Sequence, residues 1–179
     1  MFLDIVINTI DEYGMIKKDD CITAALSGGA DSVCLLLILK ELSDKYSFTL
    51  DALHINHCIR GKESDRDEEF CRNLCKKYDI PLTVIRTDVP AAAAESKKSL
   101  EETARDIRYQ AFEKHAGEKG KIATAHTVSD NAETVILNMA RGTGLKGLCG
   151  IPPVRDNIIR PLIAVSYTHL RAHETLRHL

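Results

Sequence analysis

Five short apolar or β-branched runs, at residues 21–26, 48–56, 82–87, 121–125 and, more weakly, 158–162, alternate with longer stretches of helical period. That alternation restricts the fold more than any other feature, because parallel strands need crossover connections long enough to carry a helix. The expected class is α/β: an open, mostly parallel, Rossmann-like sheet with helices on both faces. Helices are expected near 2–13, 32–45, 64–78, 99–116 and 129–141, several opening on a serine able to cap free backbone N–H groups. Ser99 with Glu102 makes a capping-box pattern. In the fourth helix Leu100, Ala104, Ile107 and Ala111 share one stripe. Glu101, Arg105 and Arg108 then lie on another face, either to meet a ligand or to pair with one another in solvent. In the last helix Ala132, Val135, Ile136 and Met139 are the expected buried stripe. The alanine run 91–94 after Pro90 reads as a loop or the beginning of a helix, without chemical consequence.

A chain of 179 residues suits one packed domain. Its 44% hydrophobic and 28% charged residues give the balance of a soluble globular protein. The formal net charge of -2 lacks the basic excess of many nucleic-acid binders, so any contact with a polyanion must be local. The longest apolar run, 33–39, falls far below the roughly 20 residues that span a bilayer, so no membrane partner is expected. Near the N-terminus Asp4 interrupts the apolar stretch, and neither a basic leader region nor a small-residue cleavage site is present, which argues against secretion. The six cysteines (Cys21, Cys34, Cys58, Cys71, Cys75 and Cys149) include no Cys-x-x-Cys pair and no ligand-like spacing to histidine. They read as reduced thiols of a cytoplasmic protein.

The segment 22–37 is a buried strand, a glycine turn and an apolar helix in immediate succession. Gly28 and Gly29 accept backbone angles closed to other residues and carry no side chain, so successive N–H groups can converge on phosphate oxygens. The helix that follows adds its positive end. Ser27 and Ser32 are expected to supply hydroxyl donors at the two rims, and Ala30 completes the loop. Asp31 is wrong for bare phosphate but suited to holding Mg²⁺ against it, so the ligand expected is a metal–nucleotide pair. A Walker loop is excluded, since no Gly-Lys-Ser/Thr follows.

Strand 121–125 runs into His126, which places the imidazole at a carboxyl edge of the sheet, where open α/β folds bind ligands. His126 can donate to a phosphate or offset charge developing on it. Asp130, four residues on, can bind a metal, fix His126 or an arginine, or cap the helix. Glu133 and Thr134 read as mostly structural. Arg141, in the turn 141–144, is expected to reach an anion; Gly142-x-Gly144-x-x-Gly147 follows a helix instead of a strand, which rules out a dinucleotide motif. His54, Asn56 and His57 close the second strand beside the first, where a base or ribose would lie; their spacing fits no usual zinc set.

The loop Ser27-Gly28-Gly29-Ala30-Asp31-Ser32 resembles the Ser-Gly-Gly-x-Asp-Ser signature of the PP-loop, or N-type, ATP pyrophosphatases. Further blocks narrow the resemblance to bacterial tRNA(Ile)-lysidine synthetases. These blocks are His54-Ile-Asn-His57-Cys-Ile-Arg60, Ser64-x-x-Asp67-x-x-Phe70 and Glu102-x-x-Ala-Arg105-x-x-Arg108-Tyr109-x-x-Phe112. His126-Thr-Val-Ser-Asp130-Asn-Ala-Glu133-Thr134 and Arg141-Gly-Thr-Gly144 complete them, in the family's order over about residues 20–165.

The resemblance implies an adenine nucleotide alpha hydrolase-like fold, with ATP and Mg²⁺ as cofactors. It also implies, as partners, the minor tRNA(Ile) species with a CAU anticodon and free L-lysine, and it is compatible with a homodimer. On that basis Asp31, His126 and Asp130 are the expected catalytic residues, with Asp31 also the metal ligand; residues 27–32 hold ATP, and Arg105, Arg108 and Arg141 bind substrate. Where the family often has two consecutive acidic residues, Ser129 replaces the first. Residues 1–166 would form the PP-loop domain. From Tyr167 the sequence departs from the family pattern, so 167–179 reads as a non-native tail and the family's C-terminal tRNA-binding domains are absent.

Overall fold

The computed structural model describes residues 2–144 and 148–166. The expected tail at 167–179 lies outside the described residues, as does Gly147. The elements run α1 (Phe2–Glu12), β1 (Cys21–Ala25), α2 (Ala30–Tyr46), β2 (Thr49–Asn56), α3 (Lys62–Lys77) and β3 (Leu82–Arg86). There follow α4 (Val89–Ser96), α5 (Leu100–Ala116), β4 (Lys121–Ala123), α6 (Val128–Ala140), β5 (Val154–Arg155) and β6 (Ile158–Ile159). Among the described residues the sheet has six strands in the order β3-β2-β1-β4-β6-β5, all neighbours parallel except β5 and β6. The open, mostly parallel α/β sheet expected from the alternation is the one that forms. No described helix is long and apolar enough to cross a membrane.

Strand order decides where the helices go. The steps β1 to β2 to β3 advance one way across the sheet, whereas the return from β3 to β4 passes to the other side of β1. Because parallel crossovers are right-handed, that reversal sends the returning helix to the opposite face. Burial follows it. Ile22, Ala24, Ala52, Ala123 and Ile159 pack with Val6 and Ile10 of α1, with α2, and with Cys71 and Cys75 of α3. Leu53, Ile122 and Ile158, their neighbours in sequence, turn the other way onto Phe112 of α5. A period of two along each strand thus feeds two separate cores.

Local chemistry explains the ends of the helices and the departures from expectation. Ser99 Oγ accepts the Glu102 N–H at 3.1 Å and opens α5 as its sequence suggests. The alanine run is a complete helix, α4, because Asp88 Oδ1 caps the Ala91 N–H at 3.0 Å and Pro90 sits in the first turn, where its missing N–H costs nothing. In α5 the buried stripe is Thr103, Ala104, Ala111 and Phe112; Leu100, one turn too early, is 47% exposed.

Among the described residues the expected core of α6 is not formed: the helix has no buried residue, and Ile136 and Met139 stand 65% and 60% exposed. Its apolar period is real, but the helix is held through its end and its polar side. Val128 N donates to Val165 O and Asn131 Oδ1 accepts Ile151 N. β5 was not foreseen; two residues are too few to show a period.

Helix α2 lies under the centre of the sheet, with Leu35, Leu36, Ile38 and Leu39 fully buried. Leu36→Ala leaves a cavity at that centre and is expected to lower the unfolding free energy by about 2–5 kcal/mol. Urea denaturation followed by circular dichroism would show it as a lower midpoint at unchanged slope.

Candidate active site at the strand-order reversal

The two chains of connection that leave β1 and β4 part in opposite directions, which opens a crevice at their carboxyl ends. The strands also end at different heights. β1 stops at Ala25, opposite Leu53, while β2 continues through His54, Ile55 and Asn56 and forms a wall. The result is a cavity of about 580 Å³ lined by the loop after β1, the end of β2, the beginning of α3, one side of α5 and the turn after β4. That volume lies within the usual range for small-ligand sites.

The glycine loop forms the floor. Gly28 has φ 92°, and a Cβ built on it would stand 3.4 Å from Asp67 Cβ and 3.6 Å from Cys71 Sγ of α3. Those are ordinary contact distances, so it is the backbone conformation that calls for glycine there. Gly29 has an ordinary φ of -75° and caps α2 without a side chain.

The serines differ from expectation. Ser32 Oγ donates to Gly29 O at 2.8 Å and accepts from Ser27 N at 3.1 Å and Ser27 Oγ at 3.0 Å. Both hydroxyl protons are therefore used within the loop, and Ser32, 5% exposed, is its internal brace instead of a rim donor. Ala30 and Asp31 line the cavity from the first turn of α2, where the free N–H groups lie.

Opposite the loop, the structure brings together His126, Asp130, Arg105 and Arg108. His126 Nδ1 lies 2.9 Å from Thr124 Oγ1. Burial lowers its pKa, and the positive charges of Arg160, Arg108 and Arg105 add to that against the single charge of Asp130, so the imidazole is neutral near pH 7. Asp130 Oδ2 accepts from Thr127 N at 2.7 Å and from Thr127 Oγ1 at 2.9 Å. It therefore caps α6, one of the roles its spacing left open. Arg141 is not brought in: it sits exposed at the far end of α6, and the cavity lining does not include it.

Several residues to which the sequence assigned no role of their own reach the site. Arg60 and Asp67 line it from the loop after β2 and from α3. Tyr109 stands between two guanidinium groups, Arg105 at 5.2 Å and Arg155 of β5 at 5.8 Å from the ring centre. A second hollow of about 320 Å³ along α5 shares Arg105 and Tyr109 with the first and extends it to Arg155. Arg160, 2% exposed, donates from Nη1 to Pro152 O at 2.6 Å, and its Nε has no hydrogen-bond partner among the described residues.

His54 Nδ1 lies 2.8 Å from Leu26 O, and since a carbonyl only accepts, that nitrogen carries the proton. Burial also lowers His57, reinforced by Arg108 and His54. Among the described residues no group of three or more His, Cys, Asp or Glu is arranged to hold a metal ion. Mg²⁺ usually takes only one or two protein carboxylates and completes its shell with phosphate oxygens and water, so the carboxylate of Asp31 fits a nucleotide-borne ion.

Known proteins agree with this architecture. The tRNA(Ile)-lysidine synthase of Clostridium acetobutylicum is 50% identical over 163 residues, covering 89% of this chain and 35% of the relative. That of Clostridium tetani is 47% identical over 167 residues, 92% of this chain and 36% of the relative. The chain thus spans just over a third of the length of these relatives. The fold recurs in the U34-tRNA thiolase NcsA from Methanococcus maripaludis, with a TM-score of 0.78 at 19% identity over 99% of this chain and 63% of that one. It recurs also in the glutamine-dependent NAD+ synthetase from Acinetobacter baumannii, with a TM-score of 0.58 at 15% identity over 97% of this chain and 31% of that one. The PP-loop domain pattern matches residues 4–178. With the glycine turn seated on the first crossover and the match running nearly end to end, the chain belongs to the PP-loop domain family.

Proposed function

We propose that this chain is the ATP-using domain of a tRNA(Ile)-lysidine synthase. The observation that carries the reading is the convergence of the glycine loop with His126, Arg105 and Arg108 in one cavity at the strand-order reversal. In the proposed reaction the C2 oxygen of the wobble cytidine, in the CAU anticodon of the minor tRNA(Ile), attacks the α-phosphorus of ATP and pyrophosphate leaves. The amine of free L-lysine then attacks C2, the C2–O bond breaks, and AMP departs with that oxygen.

The backbone N–H groups of 27–32 and the N-terminus of α2 bind the leaving pyrophosphate. Asp31 is the ligand for Mg²⁺, which supplies charge neutralisation on the phosphates. Neutral His126, with Thr124 donating to Nδ1, presents Nε2–H to the α-phosphoryl oxygens. Arg105 and Arg108 attract the phosphates of the anticodon strand, and the neighbouring Arg155 and Tyr109 prolong that surface along α5. Asp130 holds the turn that carries His126 and tempers the surrounding positive charge. None of the six cysteines lines the cavity, which favours lysine over a sulfur donor as second substrate.

The 179-residue chain is expected to bind ATP with Mg²⁺, measured calorimetrically. Put in place of the matching domain of a full-length relative, it is expected to release AMP on tRNA only when lysine is added; release that follows a sulfur donor instead would replace the reading. In that chimera Asp31→Ala should abolish pyrophosphate formation, and retained turnover would remove Asp31 from the metal site.

The two loop glycines should separate. Gly28→Ala forces an L side chain into positive φ at about 1–2 kcal/mol, lowering both the melting temperature and ATP affinity. Gly29→Ala, whose Cβ would meet only Ser27 Oγ at 3.5 Å, should keep the melting temperature and lose phosphate binding.

A further inference from the structure

Glu68 lies in the middle of α3 with its side chain only 5% exposed, and it faces neither core. Its Oε1 accepts from Arg72 at 2.9 Å, and its Oε2 accepts from Arg86 Nε at 2.8 Å and from Asn56 Nδ2 at 3.0 Å. Burial alone would raise this carboxyl, but the hydrogen bonds from Asn56, Arg86 and Arg72 outweigh it and hold its pKa at about 2. The two arginine side chains are more than half exposed, so as ion pairs they contribute little. The bond that water does not reach is the one to Asn56, itself 2% exposed at the last position of β2.

That bond decides which way an amide faces. A carboxylate only accepts, so Asn56 must turn its Nδ2 toward Glu68. Oδ1 is thereby directed to the Cys58 N–H, 3.0 Å away, and closes an Asx-type turn in which Cys58 adopts a φ of 54°. The same Nδ2 donates to Ser64 O at 3.3 Å, and Ser64 Oγ accepts the Arg60 N–H at 3.2 Å. The turn 57–60 is thus tied to the Asn56 amide directly at Cys58 and through Ser64 at Arg60. Reversing it would set Oδ1 against the carboxylate and an NH₂ group against the Cys58 N–H. His57, Ile59, Arg60 and Ser64, all governed by this arrangement, line the cavity.

We propose that Glu68 is a positioning residue: by fixing the orientation of the Asn56 amide it holds the turn 57–60 in the shape that contacts the nucleotide. This rests on the reading of the cavity as an ATP site. Arg72 provides the internal control, because it bonds Glu68 through the oxygen that Asn56 does not use.

The test titrates Mg²⁺-ATP into the wild-type chain, Glu68→Gln and Arg72→Ala, with amide hydrogen exchange at Cys58 measured on each. Glu68→Gln, whose amide can no longer accept from Asn56 and both arginines, is expected to raise Kd about tenfold at a stoichiometry near one and to expose the Cys58 N–H to exchange. Arg72→Ala is expected to keep Kd within about twofold and Cys58 protected, whatever it does to the melting temperature. Should Glu68→Gln not fold, Asn56→Ala, which leaves Glu68 with its arginines, carries the same expectation.

An unchanged Kd with Cys58 still protected overturns the proposal. So does a loss that appears only as reduced stoichiometry, the mark of a smaller folded fraction. Failure of the wild-type chain to bind ATP would instead overturn the ATP reading, and exchange at Cys58 would still decide whether Glu68 holds the turn.

Discussion

The reversal of strand order between β1 and β4 is the constraint on which the site depends. Right-handed crossovers put α2 and α3 on one face of the sheet and α5 on the other, so the loops leaving β1 and β4 must diverge. That divergence makes the crevice, and the extra three residues of β2 make its wall. The glycine loop would be a turn like many others without it. With it, the N-terminus of α2 points into a space that α5 and the His126 turn close from the opposite side.

Charge is arranged within that space to suit an anion. Arg60, Arg105 and Arg108 line it, Arg160 is buried close by, and two histidines have lowered pKa values: His57 through burial, Arg108 and His54, and His126 through burial, Arg160, Arg108 and Arg105. Neutral imidazoles can donate hydrogen bonds without adding to the repulsion among the guanidinium groups. The net charge of the chain is -2, so this positive ground is local, drawn from α5, the residue after β6 and the loop after β2. Support comes from a ring of bonds one layer out. Ser32 braces the glycine loop, Thr127 and Asp130 brace the His126 turn, and Glu68 with Asn56 braces the turn after β2.

The alternation of strand and helix, the strand–glycine–helix segment and the blocks around His54, Arg105 and His126 were legible in the sequence, and they identified the fold class and the walls of the site. Each of these signals is local: a period of two, a glycine pair before an apolar run, a serine before a helix. Elements short of a full period, such as β5, gave no such signal. Residues whose importance lies in a partner remote in sequence, such as Glu68 and Arg155, gave none either.

Periodicity also shows that a helix has an apolar side without showing what covers it. α6 has the pattern of a buried helix and buries nothing among the described residues, while α5 shifts its buried stripe from Leu100 to Phe112. The sequence by itself determined the α/β class, the glycine turn after the first strand and several of the residues gathered near that turn. Only the tertiary structure decided that Arg141 stays outside, that Ser32 donates within the loop it braces, and that Asp130 caps α6. The reason is physical: these roles depend on which hydrogen-bond partner is nearest in space, and the crossovers that set those distances join residues far apart along the chain.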